Sequence, residues 1–226
     1  MKALLSSTYF GPVQWYQKLN RYDECLIERH ESFIKQTYRN RMMIPTTNGP
    51  LSLTIPTNHD TSMAMKDIRI SDHANWRHVH WNALLSAYGE SPFFEYYQDD
   101  IRPFYEKKYE FLFDFNMETT EKMIELLDIR PKISVTDKYI VSEERRVKSE
   151  DSYSLEAQTQ LDIQHSTLNT EYRDFREAIR PKKPLPDAEF VPTPYYQVYG
   201  QKHGFQPNMS ILDLLFNEGN EAIFYL

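Results

Sequence analysis

The sequence has little glycine and a single cysteine, and both shortages narrow the kinds of site it can hold. Only 6 of its 226 residues are glycine, and the glycine-rich patterns of P-loop and dinucleotide-binding proteins do not occur. Cys25 has no partner for an intramolecular disulfide, and no spacing of Cys and His resembles a zinc site. We therefore predict no metal site in the chain itself, although a magnesium ion can arrive with a nucleotide. Cys25 lies in an apolar run and is predicted to be a core residue.

The chain also lacks long apolar runs and an excess of positive charge. No run approaches the roughly 18 apolar residues of a membrane-spanning helix, and the N-terminal run is too short for a signal peptide. We therefore expect a cytoplasmic protein without membrane insertion. With 26 Lys and Arg against 33 Asp and Glu, the net charge is -7, so we expect no nucleic-acid partner, because such partners attract cationic surfaces. Nothing in the sequence specifies a cofactor or an oligomeric state.

A strand, a helix and a second strand are predicted at the N-terminus. Ala3–Thr8 and Cys25–Ile27 are short apolar runs, and the intervening residues from Val13 have helical spacing after Pro12. Such a unit predicts parallel pairing of the two strands. Ligands in parallel sheets lie at the carboxyl ends of the strands. We therefore expect the turn from Ser6 to Pro12 to emerge beside the stretch that begins at Glu28.

Further elements complete a single α/β domain over residues 1–226, with a predominantly parallel sheet flanked by helices, an added β-hairpin and a polar insertion. Asn48-Gly49 between two short apolar runs predicts the hairpin. The remaining patterns predict helices over 75–88 and about 93–109, a helix capped by Asn116, a strand over 132–135 and a final helix that Ser210 and Asp213 open as a capping box.

The polar segment 142–186 has few apolar residues and many charged and amide side chains. It is predicted to be an exposed insertion or lid, helical from Thr170 to Ile179, and to end in the proline-rich run that starts at Arg180.

Residues 28–41 concentrate four permanent cations against two carboxylates in an acidic chain. Guanidinium forks suit carboxylate or phosphate, and the amides of Gln36 and Asn40 are close in sequence. Residues two apart in a strand point the same way, so Arg39 and Arg41 converge on one anion if extended structure begins by Arg39. This block is the predicted anion site.

An alternative treats the same block as structural. Charge runs are usually solvated faces or internal salt bridges, and Glu28 and Glu31 are available as partners. In that case Arg39→Ala lowers the melting temperature without changing ligand binding.

His80 is the predicted proton-transfer group, because imidazole is the side chain most easily tuned near neutral pH. The alternative is a satisfied core histidine. His78 lies about 200° around the helix from His80, so the pair is not expected to chelate a metal. The buried stripe of this helix is predicted to consist of His80 with Trp76, Val79, Ala83, Leu84 and Ala87.

The chain resembles the WbqC-like protein family over nearly its whole length. The motifs that carry the resemblance are Tyr9-Phe10-x-Pro12, Phe33-x-Lys35-Gln36-x-Tyr38-Arg39-Asn40-Arg41, Trp76-x-x-x-His80 with Tyr88 downstream, and Gly204-Phe205-x-Pro207-Asn208-x-Ser210-Ile211-x-Asp213-Leu214-Leu215-Phe216. The resemblance implies a bacterial protein associated with O-antigen and other surface-polysaccharide loci. The chain departs from the common family pattern at Ser7-Thr8, Ser32 and Val79, where members often have Gln-Pro, Gln and Lys.

These observations lead to a transferase-type enzyme that acts on an anionic substrate, such as a nucleotide or sugar nucleotide, in surface-polysaccharide precursor metabolism. In this hypothesis Lys35 helps Arg39 and Arg41 to stabilise developing negative charge, and His80 moves a proton. The remaining predicted substrate contacts are Tyr9, Gln36, Tyr38 and Asn40. The alternative is a non-catalytic binding or scaffold protein that recognises an anionic glycan precursor or a protein partner through its many tyrosines.

Overall fold

A four-stranded parallel sheet forms the centre of the protein. The computed structural model describes residues 1–58, 62–141 and 172–226. The strands in spatial order are β7 (Ile133–Val135), β2 (Glu24–Glu28), β1 (Lys2–Ser6) and β8 (Tyr172–Asp174), and every neighbouring pair is parallel. The prediction of an α/β fold with a predominantly parallel sheet is confirmed.

Strand β1 has a hydrogen-bonded neighbour on each side and is buried. Its apolar residues Ala3, Leu4 and Leu5 are at most 1% exposed, as expected for a parallel strand covered on both faces. Lys2 pairs with Glu24 of β2 and with Tyr172 of β8. The neighbouring Cys25 is fully buried, which confirms its prediction as a core residue.

Seven helices and three short 3₁₀ helices occur in the described ranges. The helices are α1 (Val13–Arg21), α2 (Trp76–Tyr88), α3 (Phe94–Ile101), α4 (Pro103–Glu106), α5 (Leu112–Leu126), α6 (Gly200–His203) and α7 (Ile211–Glu218). The 3₁₀ helices are Met65–Asp67, His73–Asn75 and Gly219–Tyr225. In the described residues, no helix combines the length and apolar character needed to cross a membrane.

Within the described ranges, two antiparallel ribbons lie outside the main sheet. Strands β3 (Arg41–Thr46) and β4 (Gly49–Thr54) form the predicted hairpin, and β5 (Thr57–Asn58) pairs with β6 (Arg69–Ile70). Gly49 has a φ of 97°, a conformation that glycine adopts without steric cost.

Aromatic side chains fill the core between the turn after β1 and helices α2, α4 and α5. Tyr9 packs against Phe115 with ring centroids 5.6 Å apart, and Phe10 meets Phe104 edge to face at 6.0 Å. Trp76 of α2 joins the cluster with its centroid 6.1 Å from that of Phe115. Offset and edge-to-face pairs add to the stabilisation from burial. The cluster fixes the turn after β1 against three helices.

Three details of the helices differ from the sequence prediction. The predicted helix over 93–109 is divided into α3 and α4, the second of which begins at Pro103. Helix α5 begins at Leu112, so Asn116 is not its cap. Instead, the Asn116 side chain is buried and donates to the Arg39 carbonyl at 2.8 Å. Val79, which was predicted to be part of the buried stripe of α2, is 53% exposed.

The predicted polar insertion contributes to the core at its C-terminal end. Residues 142–171 lie outside the described ranges. The predicted helix from Thr170 to Ile179 is wrong where the structure describes it, because residues 172–174 form β8 against β1. Phe175, Ala178 and Ile179 then turn inward and are buried. Residues 182–186 are exposed, in agreement with the prediction for the proline-rich run.

Helix α7 has the predicted N-cap, but its acidic residue has another role. The Ser210 hydroxyl accepts a hydrogen bond from the Leu212 amide at 3.4 Å. Asp213 is fully buried and accepts instead from the Tyr195 hydroxyl at 2.6 Å and from Gln197 Nε2 at 2.7 Å. The carboxylate therefore attaches the segment before α6 to the last helix.

Candidate functional site

Polar and charged residues meet at the carboxyl edge of the sheet. Because the four strands are parallel, Ser6, Glu28 and Asp174 end β1, β2 and β8 at the same edge, and Thr136 follows β7 directly. This is the edge at which open α/β sheets bind their ligands. We call this group of residues, with Thr8, Glu31, Arg39 and Arg176, the carboxyl-edge cluster.

Arg39 is enclosed within this cluster, with 3% of its surface exposed. Its Nε and Nη2 atoms donate to the two Glu31 carboxylate oxygens at 2.8 and 2.5 Å. Nη2 also donates to the Ser6 hydroxyl at 2.9 Å, and Nη1 donates to the Thr37 hydroxyl at 3.2 Å. The guanidinium group is therefore held in one orientation by a two-pronged ion pair.

Arg176 forms a second ion pair beside the first. Its Nε lies 3.0 Å from Asp174 Oδ1 and its Nη2 lies 2.7 Å from Asp174 Oδ2, while Nη2 also donates to the Ile140 carbonyl at 2.8 Å. Nη1 lies 3.7 Å from Glu28 Oε2, beyond hydrogen-bond length. Burial lowers the pKa of Arg176, but the hydrogen bonds and charge of Asp174 outweigh it and leave the pKa raised. The side chain stays charged.

Glu28 is fully buried and its hydrogen bonds are made within the protein. It accepts from the His30 amide at 2.8 Å, the Thr136 hydroxyl at 2.7 Å and the Ile140 amide at 2.8 Å. These contacts fasten the chain after β7 to the end of β2, and this satisfied carboxylate forms one wall of the cluster.

In the described part of the chain, two small cavities adjoin the paired arginines, and Arg176 lines both. The first has a volume of about 10 Å³ and the second about 40 Å³. Ser6, Thr8, Tyr38 and Arg39 line the first cavity. A volume of roughly 10–15 Å³ admits one water-sized group. The first cavity therefore has room for a single ligand oxygen.

Thr8 carries the polar atom of this cavity that lacks a partner. The residue is 2% exposed, and no described residue makes a hydrogen bond to its Oγ1 atom. Gly11 leaves the space that this hydroxyl uses, because a Cβ atom at Gly11 would lie 2.4 Å from Thr8 Oγ1. Thr8 was not singled out in the sequence, although it belongs to the turn that was predicted to emerge at this edge.

Arg39 and Arg41 have no partner in common among the residues that the structure describes. Strand β3 begins at Arg41, so the condition for the two side chains to point alike is not met. Arg41 Nε donates at 2.9 Å to the hydroxyl of Thr54, its cross-strand neighbour. The Arg39–Glu31 ion pair is instead the kind of contact that the structural alternative predicts, in which arginines of residues 28–41 form salt bridges with carboxylates of the protein itself.

The other predicted residues of the block lie in different environments. Asn40 is buried, and its Nδ2 donates to the Ile55 carbonyl at 3.0 Å. Lys35 and Gln36 are exposed, and Gln36 Oε1 accepts from Lys182 at 2.9 Å. Tyr38 is buried beside the first cavity, and burial raises its pKa to about 12. Of the predicted residues, Arg39 and Tyr38 line this cavity.

His80 lies in the aromatic core as a satisfied histidine. Its Nδ1 atom is 2.9 Å from the Tyr9 hydroxyl, which is also 2.9 Å from the Tyr105 hydroxyl. Burial lowers the pKa of His80 to about 4, against a hydrogen bond to the Thr54 backbone. The imidazole is therefore neutral at pH 7, and its Nδ1 atom is engaged by the Tyr9 hydroxyl. This is the arrangement of the core alternative, and it includes the predicted substrate contact Tyr9.

Arg176 and Asp174 were missed by the sequence analysis because they fall inside the segment interpreted as a lid. The usable signal was the apolar spacing of Phe175, Ala178 and Ile179, which marks an inward-facing turn. In the described ranges, no group of three or more His, Cys, Asp or Glu residues could hold a metal ion.

Comparison with known proteins identifies the family. The model of the WbqC-like protein family matches residues 7–225. The chain belongs to the WbqC-like family. A relative in Mycobacterium tuberculosis, described as uncharacterized protein Rv1507c, is 28% identical over 229 residues, which cover 99% of this chain and 96% of the relative. No solved structure matches this WbqC-like chain.

Proposed function

We propose that this WbqC-like protein is a transferase-type enzyme that holds an anionic group of its substrate, a phosphate or a carboxylate, at the carboxyl-edge cluster. The observation that carries the proposal is the Thr8 hydroxyl, which has no described partner beside a cavity lined by Arg39 and Arg176. The role in surface-polysaccharide precursor metabolism rests on the loci with which the family is associated.

The unpartnered hydroxyl carries an energetic argument. A buried polar group without a hydrogen bond costs about 1–3 kcal/mol, so such groups are uncommon in native proteins and each calls for an explanation. A ligand oxygen in the cavity beside Thr8 would supply the missing acceptor. Valine has nearly the same shape without the hydroxyl, so Thr8→Val separates ligand binding from packing.

The ion pairs prepare the cluster for one oxygen atom. Glu31 and Asp174 hold the two guanidinium groups in fixed orientations, so little reorganisation is needed when a ligand oxygen arrives. Donors arranged in advance around developing negative charge typically contribute a few kcal/mol each to a transfer reaction. The cluster can stabilise the oxyanion that forms when a group is transferred from a phosphate ester or an acyl donor.

A non-catalytic binding protein is the second candidate. The enclosed His80, with its pKa of about 4, favours it, because this imidazole is not available to move a proton at neutral pH. In this case the same cluster recognises the anionic group without reacting with it. Incubation of the stabilising ligand with a panel of hydroxyl- and amine-bearing acceptors, followed by mass analysis, separates the two candidates, because only the enzyme moves a group from the ligand to an acceptor.

The test is a thermal-shift screen of nucleotides, sugar nucleotides and acyl donors on wild type, Thr8→Val and Ser91→Ala. Ser91 is a matched control because its buried hydroxyl also lacks a described partner and it lines neither cavity. A ligand at the cluster stabilises the native state by mass action. We expect this shift in wild type and Ser91→Ala and its loss in Thr8→Val. Equal shifts in all three proteins would refute the proposed site.

A further inference from the structure

A groove beside helices α2 and α4 is much larger than the carboxyl-edge cavities. Its volume is about 400 Å³, within the roughly 300–1,000 Å³ typical of small-molecule sites. Among the described residues, none lines both this groove and a carboxyl-edge cavity. Helix α2 contributes Arg77, His78 and Trp81 to its lining, and Arg102, Tyr105 and Lys108 come from the region of α4. A whole small molecule fits this space.

Two aromatic rings give the groove an apolar surface. The centroids of Trp81 and Tyr105 are 5.8 Å apart, and their planes are inclined by 40°. Trp81 is partly exposed, whereas the other tryptophans, Trp15 and Trp76, are at most 4% exposed. Aromatic faces of this kind stack on flat or ring-shaped ligands. Trp81 therefore also provides an optical reporter for this groove.

The groove lining carries more positive than negative charge. Asp72 pairs with both Arg77 and Lys108, at 2.5 and 2.8 Å, and Glu106 pairs with Arg102 at 2.7 Å. Three permanent cations thus share two carboxylates in a chain whose net charge is -7. The excess favours an anionic ligand.

Arg77 also has an unused donor. Its side chain is 12% exposed and is held by Asp72, by the Lys107 carbonyl at 3.2 Å and by the Trp76 ring at 4.6 Å. Within the described part of the chain, its buried Nη2 atom has no hydrogen-bond partner. A guanidinium group that is held this way suits a phosphate, whose oxygens accept from more than one N–H.

We infer that the groove binds a phosphate monoester attached to a ring, either a sugar phosphate or a nucleoside monophosphate. The ring lies on the exposed part of Trp81, beside the buried Tyr105, and the phosphate lies against Arg77, Arg102 and Lys108. This site is independent of the carboxyl-edge cluster, and Thr8→Val leaves it intact.

The experiment follows tryptophan fluorescence and titration calorimetry with glucose 1-phosphate, AMP, glucose, adenosine and inorganic phosphate. The test protein is Arg102→Gln with Lys108→Gln, whose side chains are 57% and 79% exposed. The control is Arg69→Gln with Lys132→Gln, an equally large charge change at residues that are 56% and 69% exposed and lie outside the groove lining. Loss of two charge-assisted contacts should weaken binding by about tenfold or more in the test protein alone.

Each arm of the experiment has a defined outcome. Quenching by glucose 1-phosphate or AMP that Trp81→Phe removes, with weaker binding of glucose, adenosine and inorganic phosphate, supports the inference and shows which ring is preferred. Binding of inorganic phosphate as tight as that of both esters overturns it, because the aromatic rings would then contribute nothing. Absence of binding by both phosphate esters overturns it. Equal weakening in the control variant also overturns it, because general charge would then explain the binding. Binding that Thr8→Val abolishes assigns the ligand to the carboxyl edge and overturns the groove.

Discussion

His80 and Asp213 are buried groups whose protonation has opposite effects on stability. Burial lowers the pKa of His80 from 6.5 to about 4, against a hydrogen bond to the Thr54 backbone. Burial raises the pKa of Asp213 from 3.8 to about 6, although hydrogen bonds from Tyr195 and Gln197 oppose the shift. Both changes fall in the same pH range, so the two effects overlap in the wild-type protein.

The signs follow from the state that binds the proton first. As the pH falls below 6.5, His80 is protonated in the unfolded chain before the folded one, so its contribution to stability is lost towards pH 4. Asp213 is protonated in the folded protein first, so its contribution grows as the pH falls through 6 and is complete below 3.8. Between pH 7 and pH 4.5 these shifts correspond to a loss of about 2 kcal/mol from His80 and a gain of about 2 kcal/mol from Asp213.

Urea unfolding of wild type, His80→Asn and Asp213→Asn at pH 7, 5.5 and 4.5 measures the two contributions separately. Relative to wild type, Asp213→Asn should lose about 2 kcal/mol more on acidification, and His80→Asn should lose about 2 kcal/mol less. The comparison uses the change with pH, so any constant cost of the substitution cancels. Parallel pH profiles for all three proteins would refute the reasoning, because neither group would then change its pKa on folding.

Three further predictions concern the carboxyl-edge cluster and its surroundings. Arg39→Ala should lower the free energy of unfolding in urea by about 3–5 kcal/mol, because it leaves Glu31 buried without its partner. The double variant Arg39→Met with Glu31→Leu should recover most of that loss, and a cost below about 1 kcal/mol for Arg39→Ala would contradict the buried pair. Gly11→Ala should lower the melting temperature, because the added Cβ atom meets Thr8 Oγ1. The decrease in melting temperature should be smaller in a Thr8→Ala background, and additive effects would show that the two residues do not interact. Arg41→Gln should change the unfolding free energy by less than about 1 kcal/mol, because Arg41 Nε donates to the Thr54 hydroxyl rather than to a buried carboxylate. A loss of stability as large as that of Arg39→Ala would contradict this prediction.

The elements that local patterns define could be predicted from the sequence. The apolar runs of β1 and β2, the proline before α1 and the Asn-Gly turn between β3 and β4 each predicted an element, and each element is present. Pro12, which was expected in the first turn of α1, is its N-cap. The short strand, helix and strand at the N-terminus predicted that β1 and β2 pair in parallel. The same unit predicted that the turn after β1 lies at the carboxyl edge of the sheet. These inferences depend on residues close together in the chain.

The features that were predicted wrongly depend on contacts between residues that are distant in the sequence. Asparagine is a common helix-capping residue, but the Asn116 side chain instead donates a hydrogen bond to the Arg39 carbonyl, a contact that no local pattern reveals. Strand β8 is short and polar, and its pairing with β1 makes it a strand. The position of Arg39 against Glu31 also required knowledge of where β3 begins. Sequence patterns therefore located the cationic block over residues 28–41, and tertiary packing determined which of its cations reach a cavity.

The pairing of β1 with β8 has a consequence for how the protein is made. Lys2 meets Glu24 and Tyr172 on its two sides, so one edge of the first strand finds its neighbour early in synthesis and the other does not. While the ribosome translates the intervening positions, that free edge offers unpaired amide and carbonyl groups to other nascent chains. Completion of the sheet, and with it assembly of Arg176 beside Arg39, has to wait until the last quarter of the polypeptide has been synthesised.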